Sequence, residues 1–186
     1  MSFLEYFRDN VLKIRLVDKD DSWFMKLINV FLIIGNALKI TNIKDDPETE
    51  WDESFMGGYG TTIGHTIYDN PGWTWDKPAS EHVFHELGHA VQSSIGMMIS
   101  YVTSKEKRMY WESECVQCEM VFNPSRDRGE SWMARRVKQF AGYGIPEEVC
   151  RRELTARLEE FQEGRLTKTA QVLADAKEAW EDESRR

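Results

Sequence analysis

The sequence predicts an α+β fold with one small sheet and several helices, and three observations support this. Residues 60–68 are rich in Thr, Ile and Tyr, which is typical of a strand. On both sides of them, apolar residues recur every three or four positions, which predicts helices. Hydrophobic residues make up 41% of the 186-residue chain, enough to build a folded core.

Two helices are expected before the strand. The first covers residues 3–16, whose apolar positions share one face. The second covers residues 23–40, the most apolar stretch of the chain. Because two lysines and two asparagines interrupt it, and a membrane span needs about 20 mostly apolar residues, we interpret it as a buried core helix. The acidic residues 44–53 form a solvated loop.

The strand expected at 60–68 places Thr61, Ile63, His65 and Ile67 on one face and ends at an Asn-Pro-Gly turn. Gly60 and Gly64 suit the close approach of another backbone, although a plain twisted edge strand explains them equally well. The remaining expected elements are a helix capped by Asp76 or Ser80 and running to about Gly96, a short strand-like piece at 97–104, and helices at 108–122, at 130–141, from about Pro146, and at about 167–180.

Three of the four histidines lie in HVFHELGHAVQ, residues 82–92. Within it, His85 and His89 are four residues apart, so a helix brings both imidazoles to one face, where they can bind one metal ion. Zinc is the natural candidate for such neutral nitrogen ligands. Glu86 lies beside them and can act as general base toward a metal-bound water.

A catalytic zinc usually has a third protein ligand. No histidine follows His89, so a carboxylate must supply this ligand. Glu112 and Glu114 lie 23 and 25 residues after His89 on a predicted helix. Both are candidates for the third ligand.

HELGHAVQ, preceded by GTTIGHTIY and followed by YWESEC, resembles the gluzincin metallopeptidases, especially their small minimal-domain members and the HtpX-like and ImmA/IrrE-like groups. The resemblance covers roughly residues 59–122. It implies a zincin-like fold in which strand 60–68 is the edge strand over the active-site helix. Glu112 matches the family's ligand glutamate. Val116 stands where the family has Asp or Asn to orient a ligand histidine, a role that would fall to Glu119 or Glu114.

The sequence therefore predicts a zinc-dependent metallopeptidase with His85, His89 and Glu112 as ligands and Glu86 as the catalytic base, acting on a peptide or protein. The domain is expected at residues 1–145, with its core at 58–122, and a helical extension at 146–186. The alternative is an inactive, zinc-stabilised zincin-like module with a binding or structural role.

Charge and cysteine content bear on partners and compartment. The net charge of −8 argues against nucleic acid as a partner, and no signal peptide is visible. Three cysteines give no disulfide framework, which favours a cytoplasmic protein of a bacterium or phage. Cys115 and Cys118 form a CxxC that we interpret as a helix-packing pair.

The sequence indicates the roles of the other histidines and of three tyrosines less specifically. His82 is expected to be a neighbour of the metal site, and His65 an ordinary strand residue with an oxyanion-stabilising role as its alternative. Three tyrosines are candidates for an oxyanion donor, and the sequence does not choose among Tyr101, Tyr110 and Tyr143.

Overall fold

A computed structural model describes residues 1–28, 30, 60–69 and 80–186 of the chain. The expected loop at 44–53, most of the helix at 23–40, the Asn-Pro-Gly turn and the possible cap Asp76 lie outside the described residues. Within them, residues 23–28 are helical. The other elements are α1 (Phe3–Asn10), β1 (Arg15–Asp18), β2 (Thr61–Ile63), β3 (Thr66–Asp69), α2 (Glu81–Gln92), α3 (Ile95–Thr103), α4 (Lys105–Phe122), α5 (Glu130–Ala141), α6 (Glu147–Gln162) and α7 (Lys168–Ser184). The expected α+β class is confirmed.

The described strands form one mixed sheet in the order β1-β3-β2, with β1 parallel and β2 antiparallel to β3. Two predictions were wrong here. Residues 60–68 form a hairpin rather than one strand, because Gly64 adopts a positive φ of 61° and turns the chain. The helix expected to reach residue 16 ends at Asn10, and residues 15–18 form β1, since pairing with β3 outweighs the local helical pattern.

The prediction for residues 93–104 was also wrong. The helix that begins after its cap, Ser80, ends at Gln92 rather than near Gly96, and residues 97–104 are mostly helical instead of strand-like. The hydroxyl of Ser94 accepts a hydrogen bond from the backbone N–H of Met97 and caps α3. Short apolar runs suit both helix and strand, and here the cap and the run's length favour helix.

Helix α4 lies at the centre of the described structure, in contact with α2, α3, α6 and α7. All nine residues from Glu112 to Met120 are buried, although several of them are polar. Buried polar groups require hydrogen-bond partners, so these side chains can only be accommodated by partners on the surrounding helices.

Two hydrophobic clusters surround α4. The first joins α1, α2 and α7, with Phe3 stacked on Phe84 at 4.5 Å between ring centroids. The second joins α4, α5 and α6 and contains Val116. The helices beyond residue 145 thus share core clusters with elements before it. The division into a domain at 1–145 and an extension at 146–186 stays a prediction.

Within the residues that the structure describes, no helix combines the length and the apolar character required to cross a membrane.

Candidate metal centre

Helices α2 and α4 approach closely at Gly88, the glycine of HELGH. A Cβ atom added there would lie 3.0 Å from Sγ of Cys115 and 3.1 Å from Sγ of Cys118. Both cysteines are fully buried free thiols, in agreement with the predicted packing role. Glycine at this position lets the two helices come near enough for side chains on α2 to contact those on α4.

The imidazoles of His85 and His89 converge on one carboxylate oxygen across this contact. Nε2 of His85 lies 3.2 Å from Oε2 of Glu112, and Nε2 of His89 lies 3.6 Å from the same atom. Glu112 is buried, with 3% of its surface exposed. The two histidines predicted as metal ligands and their predicted carboxylate partner are therefore brought together.

These distances suit a metal ion. Ligand atoms about 2.0–2.1 Å from a tetrahedral zinc stand roughly 3.3 Å from one another. The two nitrogen–oxygen distances bracket that value, and imidazole nitrogen with carboxylate oxygen is an ordinary catalytic zinc ligand set. The donor types and these two distances are thus compatible with zinc.

Burial and the neighbouring charges shift the pKa values of this cluster in opposite directions. Burial raises the pKa of Glu112, but the two histidines outweigh it and hold that pKa well below its usual range. Burial lowers the pKa of His85, but hydrogen bonds to Glu112 and Glu119 raise it to about 10. Without a metal, a proton on His85 therefore supplies the positive charge that the carboxylates attract.

Glu119 orients His85 from the side opposite Glu112. Its Oε1 accepts a hydrogen bond from Nδ1 of His85 at 2.7 Å, and its Oε2 accepts one from Arg136 of α5. Val116 is buried in a hydrophobic cluster instead. The resemblance suggested Glu119 or Glu114 as the residue that orients a ligand histidine, and the structure brings Glu119 to His85. Glu119 lies seven residues after Glu112, two helical turns along the same face.

Glu114 faces away from the histidines. Its carboxylate accepts hydrogen bonds from Gln92 at 3.0 Å, from Thr169 at 3.0 Å and from Tyr110 at 2.9 Å. It joins α4 to α2 and α7.

The predicted catalytic base, Glu86, is held against β2. Its Oε2 accepts a 2.6 Å hydrogen bond from the hydroxyl of Thr62, and only 4% of its surface is exposed. A Cβ added at Gly60 would lie 2.5 Å from Oε1 of Glu86. Gly60 thus accommodates the carboxylate of Glu86, while Gly64 forms the hairpin turn. The close approach of Glu86 thus explains a glycine at position 60, and the positive φ explains one at position 64.

Among the three tyrosines, Tyr101 contacts the centre. Its hydroxyl donates a hydrogen bond to Oε1 of Glu112, and its ring lies edge-on to His89. Burial raises the pKa of Tyr101 well above its usual value, which keeps the hydroxyl protonated as a donor. Tyr110 bonds Glu114, and the backbone carbonyl of Tyr143 accepts from Arg108.

The remaining histidines differ from the pair. Nε2 of His82 lies 2.5 Å from Oδ2 of Asp69 on β3, so His82 links α2 to the sheet. His65 is exposed in the hairpin turn, and its carbonyl accepts from the backbone N–H of Arg15. The turn position replaces the strand position expected for His65.

A second donor set shares both histidines. Potential ligand atoms of His85, His89 and Cys115 lie within 4.8 Å of one another. Sγ of Cys115 is 3.3 Å from Nδ1 of His89, on the ring side away from Glu112. In the absence of a metal, burial raises the pKa of the Cys115 thiol well above its usual value.

Several residues of the centre were not predicted from the sequence. Thr62 and Arg136 come from elements distant in the chain, and their types carry no specific signal. Gln92 lies three residues after His89 on the same helix, and that spacing is the only local indication of its contact with the ring.

No family model matches the chain, and no curated protein sequence or solved structure matches it either.

Proposed function

We propose that the protein is a zinc-dependent metallopeptidase with a zincin-like active site. His85, His89 and Glu112 would hold the metal. The convergence of both Nε2 atoms on Oε2 of Glu112, at 3.2 and 3.6 Å, is the observation that carries the proposal. When bound, zinc would polarise a peptide carbonyl and acidify a water molecule.

The protein's own residues supply the remaining chemistry. Glu86 takes a proton from the attacking water and delivers it to the departing amine. The hydroxyl of Thr62 bonds Oε2 of Glu86, so Oε1, which lies beside Gly60, would take this proton. Oε1 of Glu119 accepts a hydrogen bond from Nδ1 of His85, which would leave the lone pair of Nε2 available to the metal.

A second function, an inactive zinc-stabilised module, is favoured by one observation. The carboxylate of Glu86 is buried beneath β2 and hydrogen-bonded to Thr62, an arrangement that also suits a purely structural residue. In that case the metal would contribute to folding rather than to hydrolysis.

Metal content tests the site. We expect about one zinc per wild-type chain by elemental mass spectrometry. Glu112→Gln removes the charge of the proposed ligand, and Cys115→Ser removes the thiol of the competing set. Loss of zinc in Glu112→Gln with retention in Cys115→Ser supports the proposed ligands, and the reverse pattern excludes them.

Glu86→Gln separates the two functions. The amide keeps an acceptor for Thr62 but cannot take a proton. We expect zinc content and thermal stability to be retained while hydrolysis of a peptide library is lost. A zinc-loaded wild type that cleaves nothing, with Glu86→Gln indistinguishable from it, would favour the inactive module.

A further inference from the structure

Gln92 is the buried side chain that contacts Nδ1 of His89. Its Oε1 lies 3.2 Å from that nitrogen. Its amide nitrogen donates to the backbone carbonyl of Trp111 at 3.0 Å and to Oε2 of Glu114 at 3.0 Å. Both partners of the amide nitrogen are acceptors only, so both of its hydrogens are used.

These contacts fix the orientation of the amide. A flipped amide would place its oxygen against two acceptors and its NH₂ group against the ring of His89. The hydrogen bonds to Trp111 and Glu114 would then both be lost. With Oε1 facing the ring, a hydrogen bond between Gln92 and His89 forms only when Nδ1 carries the hydrogen. A neutral imidazole has one hydrogen, so Nε2 then carries the free lone pair.

We propose that Gln92 is a positioning residue that holds His89 in the tautomer able to bind a metal through Nε2. The inference rests on the proposed zinc site. Sγ of Cys115 lies 3.5 Å from Oε1 of Gln92, to which it donates, and 3.3 Å from Nδ1 of His89. With its hydrogen directed to Oε1, the thiol leaves Nδ1 of His89 able to carry a hydrogen of its own.

The C-terminal helix α7 extends this arrangement. The hydroxyl of Thr169 donates to the same Oε2 of Glu114 that accepts from Gln92, at 3.0 Å in each case. Thr169, Glu114 and Gln92 thus form a buried chain of hydrogen bonds that ends at His89. Helix α7 is therefore connected to the proposed ligand His89 on α2 through the side chains of Glu114 and Gln92.

The test compares two buried glutamines. Gln92→Met keeps the size of the side chain and removes the acceptor. Gln117→Met is the matched control, because the side chain of Gln117 on α4 hydrogen-bonds backbone groups of α6 and of the segment before α7 rather than a histidine. Zinc affinity is measured by competition with a chromophoric chelator. We expect Gln92→Met to bind zinc about 10–100-fold more weakly and Gln117→Met to match the wild type.

Nitrogen-15 NMR of the histidine rings gives a readout that a packing defect alone would not change. We expect the wild type to carry hydrogen on Nδ1 of His89, both zinc-loaded and zinc-free at a pH where the ring is neutral. Zinc-free Gln92→Met should shift toward the other tautomer. Hydrogen on Nε2 of His89 in the zinc-free wild type, or unchanged tautomer and affinity in Gln92→Met, would overturn the proposal. If the wild type binds no zinc, the proposed function fails while the NMR result still decides the tautomer.

Discussion

Oε1 of Glu119 lies 2.7 Å from Nδ1 of His85, while Oε2 of the same carboxylate is paired with Arg136. The carboxylate thus links a proposed metal ligand on α2 to a cation on α5. Burial raises the pKa of Glu119, but Arg136 and His85 outweigh it and lower that pKa, so Glu119 stays ionised as an acceptor.

Glu119→Ala should weaken zinc binding about 10–100-fold, because His85 loses the partner that orients its ring. Arg136→Met is the matched variant, since it keeps the contact between Glu119 and His85. We expect it to bind zinc more tightly than Glu119→Ala does. Chelator competition measures both, and equal affinities for Glu119→Ala and the wild type would contradict this role.

Zinc-free protein should lose stability as pH rises from about 6.5 toward 10. The folded-state pKa of His85, about 10, lies above its ordinary value of 6.5. Over this range the folded state holds a proton that the unfolded state has released, so the free energy of unfolding falls by at most about 1.4 kcal/mol per pH unit. Urea titrations across the range measure this slope. Zinc takes the place of this proton on His85, so the unfolding free energy of zinc-loaded protein should not show this slope with pH.

Thr62→Val should lower the free energy of unfolding by about 1–3 kcal/mol, because the buried carboxylate of Glu86 loses a hydrogen bond. Thr66→Val, on the neighbouring strand of the hairpin, is the control for the change of residue type. If the protein is a peptidase, Thr62→Val should also reduce kcat more than it changes KM. Identical urea midpoints for the two variants would argue against the contact.

Gly88→Ala should be less stable than Gly96→Ala. A Cβ at Gly88 meets two cysteine sulfurs at 3.0 and 3.1 Å, whereas a Cβ at Gly96 has no atom within 4 Å among the described residues. Overpacking costs about 1–3 kcal/mol, while the better helix propensity of alanine gains up to about 1 kcal/mol. Because α2 and α4 would have to separate, Gly88→Ala should also bind zinc more weakly. Thermal melts and chelator competition measure the two effects.

The three thiols should be unreactive in the folded protein. Cys115, Cys118 and Cys150 are fully buried, and burial raises the pKa of each thiol, that of Cys150 to about 11. Since the thiolate is the reactive form, labelling with an aromatic disulfide at pH 8 should be slow until denaturant is added. Rapid labelling of one thiol in native buffer would show that its surroundings open in solution.

Local patterns predicted the helices best. The C-terminal helices and α4 follow the expected boundaries within a few residues, because their apolar periodicity and their flanking Pro, Gly and Ser signals agree. The predictions failed for short segments, at residues 11–16, 60–68 and 97–104. The first segment is decided by pairing with β3, the second by the positive φ at Gly64, and the third by the cap at Ser94.

The sequence by itself determined that His85 and His89 share a face of one helix, because the helical period depends only on spacing. Only the tertiary structure decided that Glu112 meets these histidines while Glu114 turns to Gln92 and Thr169. The two glutamates lie two residues apart on α4 and therefore point in different directions. Which one faces α2 depends on how α4 is rotated against it, and that rotation is set by packing at Gly88 and by partners far away in the chain.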